Sequence, residues 1–255
     1  MLVDTHCHLN DAEAFPDPDR AIEEARAAGV ERLVVVGVDA GSSELALRIA
    51  ERHPGRVFAT AGWHPNYAAS FDEAGLARLA KLLRQEAVVA LGEIGLDEHW
   101  DYATSEEQEK ALHAQLEIAQ EHGKPIVFHC REAYPRLLDI LERRRGDPPY
   151  VFHCFSGNPE DARRAEALGG WFGVDGPVTY RKADALRALV ATLPRDRLLV
   201  ETDSPWMTPH PHRGERNRPA LLPLIVGALA AALDIDEATC AALTTANARR
   251  LFGLP

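Results

Sequence analysis

Eight short runs dominated by Val, Ile, Leu and Phe recur along this chain with helical stretches between them, and that alternation constrains the fold more than any other feature. The runs are Leu2 to His8, Arg32 to Asp39, Val57 to His64, Val88 to Gly95, Pro125 to His129, Tyr150 to Phe155, Trp171 to Val178 and Leu198 to Asp203. Stretches such as Leu33-Val34-Val35-Val36 are continuously apolar, as strands covered on both faces must be. Eight strand-helix units close a parallel barrel, and 255 residues is an ordinary length for one. The expected fold is an α/β TIM (β/α)8 barrel, a single domain over residues 1–255.

The segments between the runs carry helix punctuation. Ser105 and Gln108 read as a capping box for a helix over Ser105 to His122, with Ala111, Leu112, Gln115, Leu116 and Ala119 at helical spacing and Gly123 ending it. Further helices are expected over Asp19–Ala28, Ser43–Arg52, Asp72–Gln85, Ala133–Arg145, Pro159–Ala167, Lys182–Thr192 and Pro219–Leu233. Asp236–Leu243 and Asn247–Phe252 read as two short final helices. The aperiodic stretch Ser204–Arg218 follows strand eight, which places it on the C-terminal rim where barrel enzymes keep their sites.

Composition narrows the function. With 46% hydrophobic residues the chain can bury a core, so disorder is excluded. Its 28 Lys plus Arg against 39 Asp plus Glu give a net charge of -11, which counts against holding nucleic acid by a broad basic face but leaves room for a local cationic site. No apolar run approaches the roughly 18 to 20 residues that span a bilayer, and Met1 to His6 lacks the basic and apolar regions of a signal peptide. The four cysteines are far apart and form no C-x-x-C pair, which fits reduced thiols. A cytoplasmic protein without a membrane or an obligate protein partner is expected.

His6-Cys7-His8 near the end of strand one places two imidazoles on one strand face. By itself that pair is weak, since buried histidines are also satisfied by ordinary hydrogen bonds. But Glu93, His129, His153 and Asp203 stand at the ends of strands four, five, six and eight, so six nitrogen or oxygen ligands converge on one rim. Cys7, Cys130 and Cys154 each follow a candidate His and are expected to face the helix layer as small apolar residues. Such a donor set suits Zn, Mn, Fe or Co, or Mg with waters. Six protein ligands leave one ion no open position, so two divalent ions are the economical reading. Glu93 would bridge them, with His6, His8 and Asp203 on one and His129 and His153 on the other.

Several blocks resemble the signatures of TatD-family hydrolases. They are Val3-Asp4-Thr5-His6-Cys7-His8-Leu9, Gly62-Trp63-His64-Pro65, Gly92-Glu93-Ile94-Gly95-Leu96-Asp97, His129-Cys130-Arg131-Glu132-Ala133, Phe152-His153-Cys154-Phe155-Ser156-Gly157, Glu201-Thr202-Asp203-Ser204-Pro205, Pro211-His212-Arg213-Gly214 and Thr245-Ala246-Asn247. They run in the family's order over essentially the whole chain. The resemblance implies a metal-dependent barrel of the amidohydrolase superfamily with deoxyribonuclease activity, typically 3'-to-5' on single strands and supported by Mg. It also implies His6, His8, Glu93, His129, His153 and Asp203 as metal ligands. Two positions depart from the pattern: Glu98 stands where an aromatic is common, and Trp206-Met207 where Tyr or Phe and then Leu are expected.

The expected chemistry is hydrolysis of a phosphodiester at single-stranded DNA ends by a metal-activated water, with Asp203 as the general base. His64 is a candidate for contacting phosphate or protonating the leaving group, or a packing residue. Glu201 is a candidate for orienting a ligand or water, or for pairing with an Arg. Arg131, Arg213 and His212 are candidate phosphate contacts. Trp63, Tyr67, Trp100 and Trp206 are candidates for stacking on bases or for packing at the rim. Two alternatives share the barrel: a D-aminoacyl-tRNA deacylase, and an amidohydrolase cleaving C–N bonds. Many of the latter bridge their ions with a modified lysine on strand four, where this chain has Glu93.

Overall fold

The computed structural model describes all 255 residues and contains one eight-stranded parallel sheet in the order β1 to β8. The strands are β1 Leu2–Cys7, β2 Val30–Val35, β3 Val57–Ala61, β4 Val88–Asp97, β5 Ile126–Arg131, β6 Tyr150–Phe152, β7 Trp171–Val174 and β8 Leu198–Val200. Between and after them run α1 Pro18–Ala27, α2 Ala40–Arg52, α3 Glu73–Leu82, α4 Ser105–His122, α5 Tyr134–Leu141, α6 Pro159–Ala167, α7 Asp184–Thr192, α8 Leu222–Leu233 and α9 Glu237–Phe252. The eight expected strands and the α/β alternation are therefore present as a TIM barrel. No single helix is long and apolar enough to cross a membrane.

Beyond the end of β8 the chain joins β1 through Asp203 N–H to the His6 carbonyl (2.9 Å) and His8 N–H to the Ser204 carbonyl (2.8 Å). Buried Asp4 clamps the same seam, accepting from Thr202 N (2.9 Å) and Thr202 Oγ1 (2.6 Å).

Every strand contributes to one buried cluster: Val3, Val34, Phe58, Val89 with Ala90, Val127, Val151, Trp171 and Leu199. Leu251, Phe252 and Leu254 from the chain's end join that cluster. A separate core of 55 residues fills the space between barrel and helices and holds Cys7 and Cys130, as expected from strand alternation.

Some boundaries differ from those expected. The α4 cap is Thr104 with Glu107, one residue earlier than the expected Ser105 and Gln108. Gln108 is instead buried, bonding the Asp97 backbone through Oε1 and Nε2 (both 2.9 Å). The two short final helices are one continuous helix, α9, capped by Asp236 and ended by left-handed Gly253. The strands β6 and β8 stop earlier than expected, so His153 and Asp203 sit just past the ladder.

Candidate metal centre

The six expected ligands meet at the C-terminal mouth of the barrel, and the carboxylate of Glu93 divides them. Its Oε2 lies 3.4 Å from His6 Nε2 and 3.9 Å from His8 Nε2, whereas its Oε1 lies 2.8 Å from His153 Nε2 and 3.0 Å from His129 Nδ1. Asp203 Oδ1 completes the first half at 3.4 Å from His8 Nε2 and 3.7 Å from His6 Nε2. Three overlapping groups of this kind could each hold an ion: His6, His8 and Asp203; His6, Glu93 and His153; and His64, Glu93 and His129.

The donor set fits a divalent metal on its own terms. His6 and His8 point their Nε2 atoms at each other across 3.2 Å, both buried, beside two carboxylates. Such convergence of buried donors is costly unless a cation gathers them.

Local backbone brings the ligands in. β1 changes register against β2 between Asp4 and Cys7, which lets His6 reach inward although it is out of step with inward-facing Val3. Gly95, with φ +144°, presses β4 against β5, because any Cβ there would overlap the His129 carbonyl. Asp203 itself has φ +52°, an uncommon conformation for a non-glycine residue and one that recurs at functional sites.

Electrostatics keep the carboxylates ionised. Burial alone would raise Glu93, but the neighbouring His153 and the hydrogen bond from His129 more than offset it, leaving the group well below the usual carboxylate range. Burial likewise opposes ionisation of Asp203, and the hydrogen bond from His8 with the His153 and His6 rings lowers it. His64 is pushed down to about 3, by burial and then by neighbouring His129, so its ring is neutral. Its Nδ1 accepts from Asn66 N–H (3.0 Å), which leaves the proton on Nε2, 3.6 Å from Glu93 Oε1.

Groups behind the ligands hold them in place. Glu201 Oε1 lies 3.5 Å from His153 Nδ1 and accepts the Cys154 backbone N–H (2.6 Å), and Thr5 Oγ1 donates to Oε2 (3.2 Å). No arginine pairs with it. Asp97, absent from the expected site, takes the His129 Nε2–H at 2.8 Å and leaves Nδ1 free for an ion. Asp175 directly follows β7, a strand to which no candidate was assigned, and is buried with Oδ2 unpartnered. The sequence signal for Asp97 was its phase with Glu93 on one strand; for Asp175 it was only its place at a strand end.

The outer residues are less convergent. Arg131 lies 5.5 Å over the Trp100 ring, Arg213 4.0 Å over Tyr180, and His212 Nδ1 pairs with Glu215 (3.0 Å). Trp206 is exposed and meets His8 edge-on at 4.9 Å. Trp63 is turned inward: its indole donates to the Tyr67 carbonyl (2.9 Å) and its ring packs on Phe71, so it offers no face to a substrate. Cys154 also differs from expectation. Because β6 has already ended, alternation no longer applies, and the residue, at φ +44°, is only partly buried and joins neither apolar cluster.

The description "TatD related DNase" matches residues 3–253. The chain belongs to the TatD-related DNase family. This TatD-family chain is 38% identical over 253 residues to the uncharacterized metal-dependent hydrolase YabD of Bacillus subtilis, covering 99% of each. It is 36% identical over 265 residues to the 3'-5' ssDNA/RNA exonuclease TatD of Erwinia tasmaniensis, covering 99% of this chain and 100% of that one. Among solved structures, the Escherichia coli TatD homologue YJJV superimposes with a TM-score of 0.92 at 32% identity, covering 100% of this chain and 98% of the other. The TatD-family chain is thus a metal-dependent hydrolase acting on ester bonds.

Proposed function

We propose that this hydrolase is a 3'-to-5' exonuclease on single-stranded nucleic acid ends, single-stranded DNA foremost, working with two divalent ions of the Mg, Mn or Zn type. The observation that carries the reading is the division of Glu93: one carboxylate oxygen serves His6 and His8, the other His129 and His153. Relatives named 3'-5' ssDNA/RNA exonuclease at 36 to 38% identity support the substrate class.

His6, His8 and Asp203 would hold one ion, His129 through Nδ1 and His153 the other, with Glu93 shared. Divalent ions held by these residues would supply Lewis-acid polarisation of a phosphodiester and a strongly lowered pKa for a bound water. Asp203, ionised and at the mouth, accepts the proton as the water oxygen attacks phosphorus and the alkoxide leaves. His64, neutral with its proton on Nε2, donates a hydrogen bond to a phosphate oxygen; a ring held neutral is a poor acid for the leaving group. Glu201 acts as a positioning residue for His153, and Arg131, Arg213 and His212 receive neighbouring phosphates. The four free cysteines fit a reducing compartment, the cytoplasm.

The test is to incubate metal-loaded protein, with and without chelator, with 3'-labelled single-stranded DNA, D-Tyr-tRNA and a dihydropyrimidine-type amide. Chelator-sensitive release of labelled mononucleotides is expected. Turnover of the tRNA ester or the amide alone would replace the nuclease reading with one of its two rivals.

A further inference from the structure

Two of the few large apolar side chains left exposed belong to one short segment, and that segment is bolted to the metal centre. Trp100 is 43% and Tyr102 61% exposed, and their rings are stacked with centroids 5.7 Å apart and an interplanar angle of 26°. Arg131, two residues beyond His129 on β5, holds its guanidinium carbon 5.5 Å from the Trp100 centroid. His99 meets the same ring edge-on at 4.8 Å.

The segment is held at both ends. Asp97 Oδ1 accepts the backbone N–H groups of His99 (2.9 Å) and Trp100 (3.0 Å), while Oδ2 of the same carboxylate takes His129 Nε2. Gln108 Nε2 donates to the Ala103 carbonyl (3.1 Å) at the far end. The acidic neighbours are engaged elsewhere: Glu132 pairs with His99 Nδ1 (2.7 Å) and Glu98 lies 3.5 Å from Arg136. Arg131 makes no ion pair, so its charge is free beside the rings.

Exposed aromatic rings give up the burial that normally accounts for them, and a contiguous exposed apolar surface beside a site marks binding. Resting on the nuclease reading, we propose that Trp100 and Tyr102 form a stacking subsite for an unpaired base of the substrate strand, with Arg131 holding the adjacent phosphate. Every base has a π-face, so such stacking is tolerant of sequence, and a guanidinium beside an aromatic ring suits a phosphate next to a stacked base. Bases inside a duplex offer no free face, so the subsite selects single strands and frayed ends. Because Asp97 fixes both the segment and His129, the stacked base would be held in register with the metal centre.

The experiment compares two single-stranded oligonucleotides, one intact and one whose last three nucleotides are abasic, in wild type, Trp100→Ala, Trp100→Phe and Tyr102→Ala. KM is measured on both, and Kd by fluorescence anisotropy on phosphorothioate versions. In wild type, loss of the bases should raise KM and Kd about tenfold, as loss of one stacked base does. Trp100→Ala and Tyr102→Ala should weaken the intact strand by a similar factor and abolish most of the difference between the two strands, and Trp100→Phe should restore it. Tyr102, being the more exposed, separates loss of stacking from loss of folding. Cleavage indifferent to both rings would overturn the subsite and leave the nuclease reading standing. Ring-dependent binding without cleavage by the wild type would overturn the nuclease reading and leave the subsite.

Discussion

Glu93 and His153 meet at 2.8 Å through Oε1 and Nε2, while the other oxygen of the same carboxylate faces His6 at 3.4 Å. Substituting Glu93→Gln keeps the shape and removes the charge shared by both halves. Hydrogen-bonding partners behind metal ligands typically govern 10–100-fold in affinity or activity, so a shared ligand should cost more than about 100-fold in rate. Elemental analysis should show reduced metal per chain in the same variant; full metal content with full activity would contradict its role.

Asp97 is expected to matter although it touches no ion. Asp97→Asn weakens its grip on His129 Nε2 and on the backbone of His99 and Trp100. Metal affinity should fall about 10–100-fold, measured by competition with a chelating dye. The loss should be partly overcome by excess metal, which separates positioning from chemistry.

Gly95→Ala tests the packing that carries β4 past β5. The added methyl would meet the His129 carbonyl, and the backbone at φ +144° is foreign to alanine. A destabilisation of at least ~1–3 kcal/mol is expected in urea unfolding, with loss of metal binding in whatever remains folded.

Away from the site, Asp147 provides a pH-dependent test of stability. Burial would raise its pKa, but Arg144 and hydrogen bonds from Tyr150 and Gln120 hold it below the usual carboxylate range. A lowered pKa stabilises the fold above the unfolded value of about 3.9 and loses that effect as pH falls through the folded value. Asp147→Asn should therefore cost about 1–3 kcal/mol near pH 7. The gap between the denaturation curves of wild type and variant should narrow as pH falls past the unfolded value of about 3.9 and close only below the lowered folded value.

Most of the barrel was legible because buried parallel strands are continuously apolar, and the convergence of the six candidate ligands was legible because each stands at the end of such a run. What was not legible depended on partners distant in sequence. Asp97 lies in phase with Glu93, yet only the fold reveals that it faces His129 on the next strand. Trp63 belongs to a rim block, but Phe71 and the Tyr67 carbonyl turn it inward. Cys154 left the expected alternation because β6 ends at Phe152, before it. At the α4 cap two box-like pairs stand one residue apart, and the need of the Asp97 and Ala103 backbone for Gln108 decides between them. The -11 charge also gains a place: beside the few arginines proposed to meet phosphates, ions held by Glu93 and its neighbours would bring positive charge to the phosphate.

The central claim is tested most directly by titrating metal-free protein with Mn²⁺ while following release of mononucleotides from 3'-labelled single-stranded DNA. Activity is predicted to be absent without metal and to saturate near two equivalents per chain. Undiminished release in the presence of chelator, or none at any metal concentration, would contradict it.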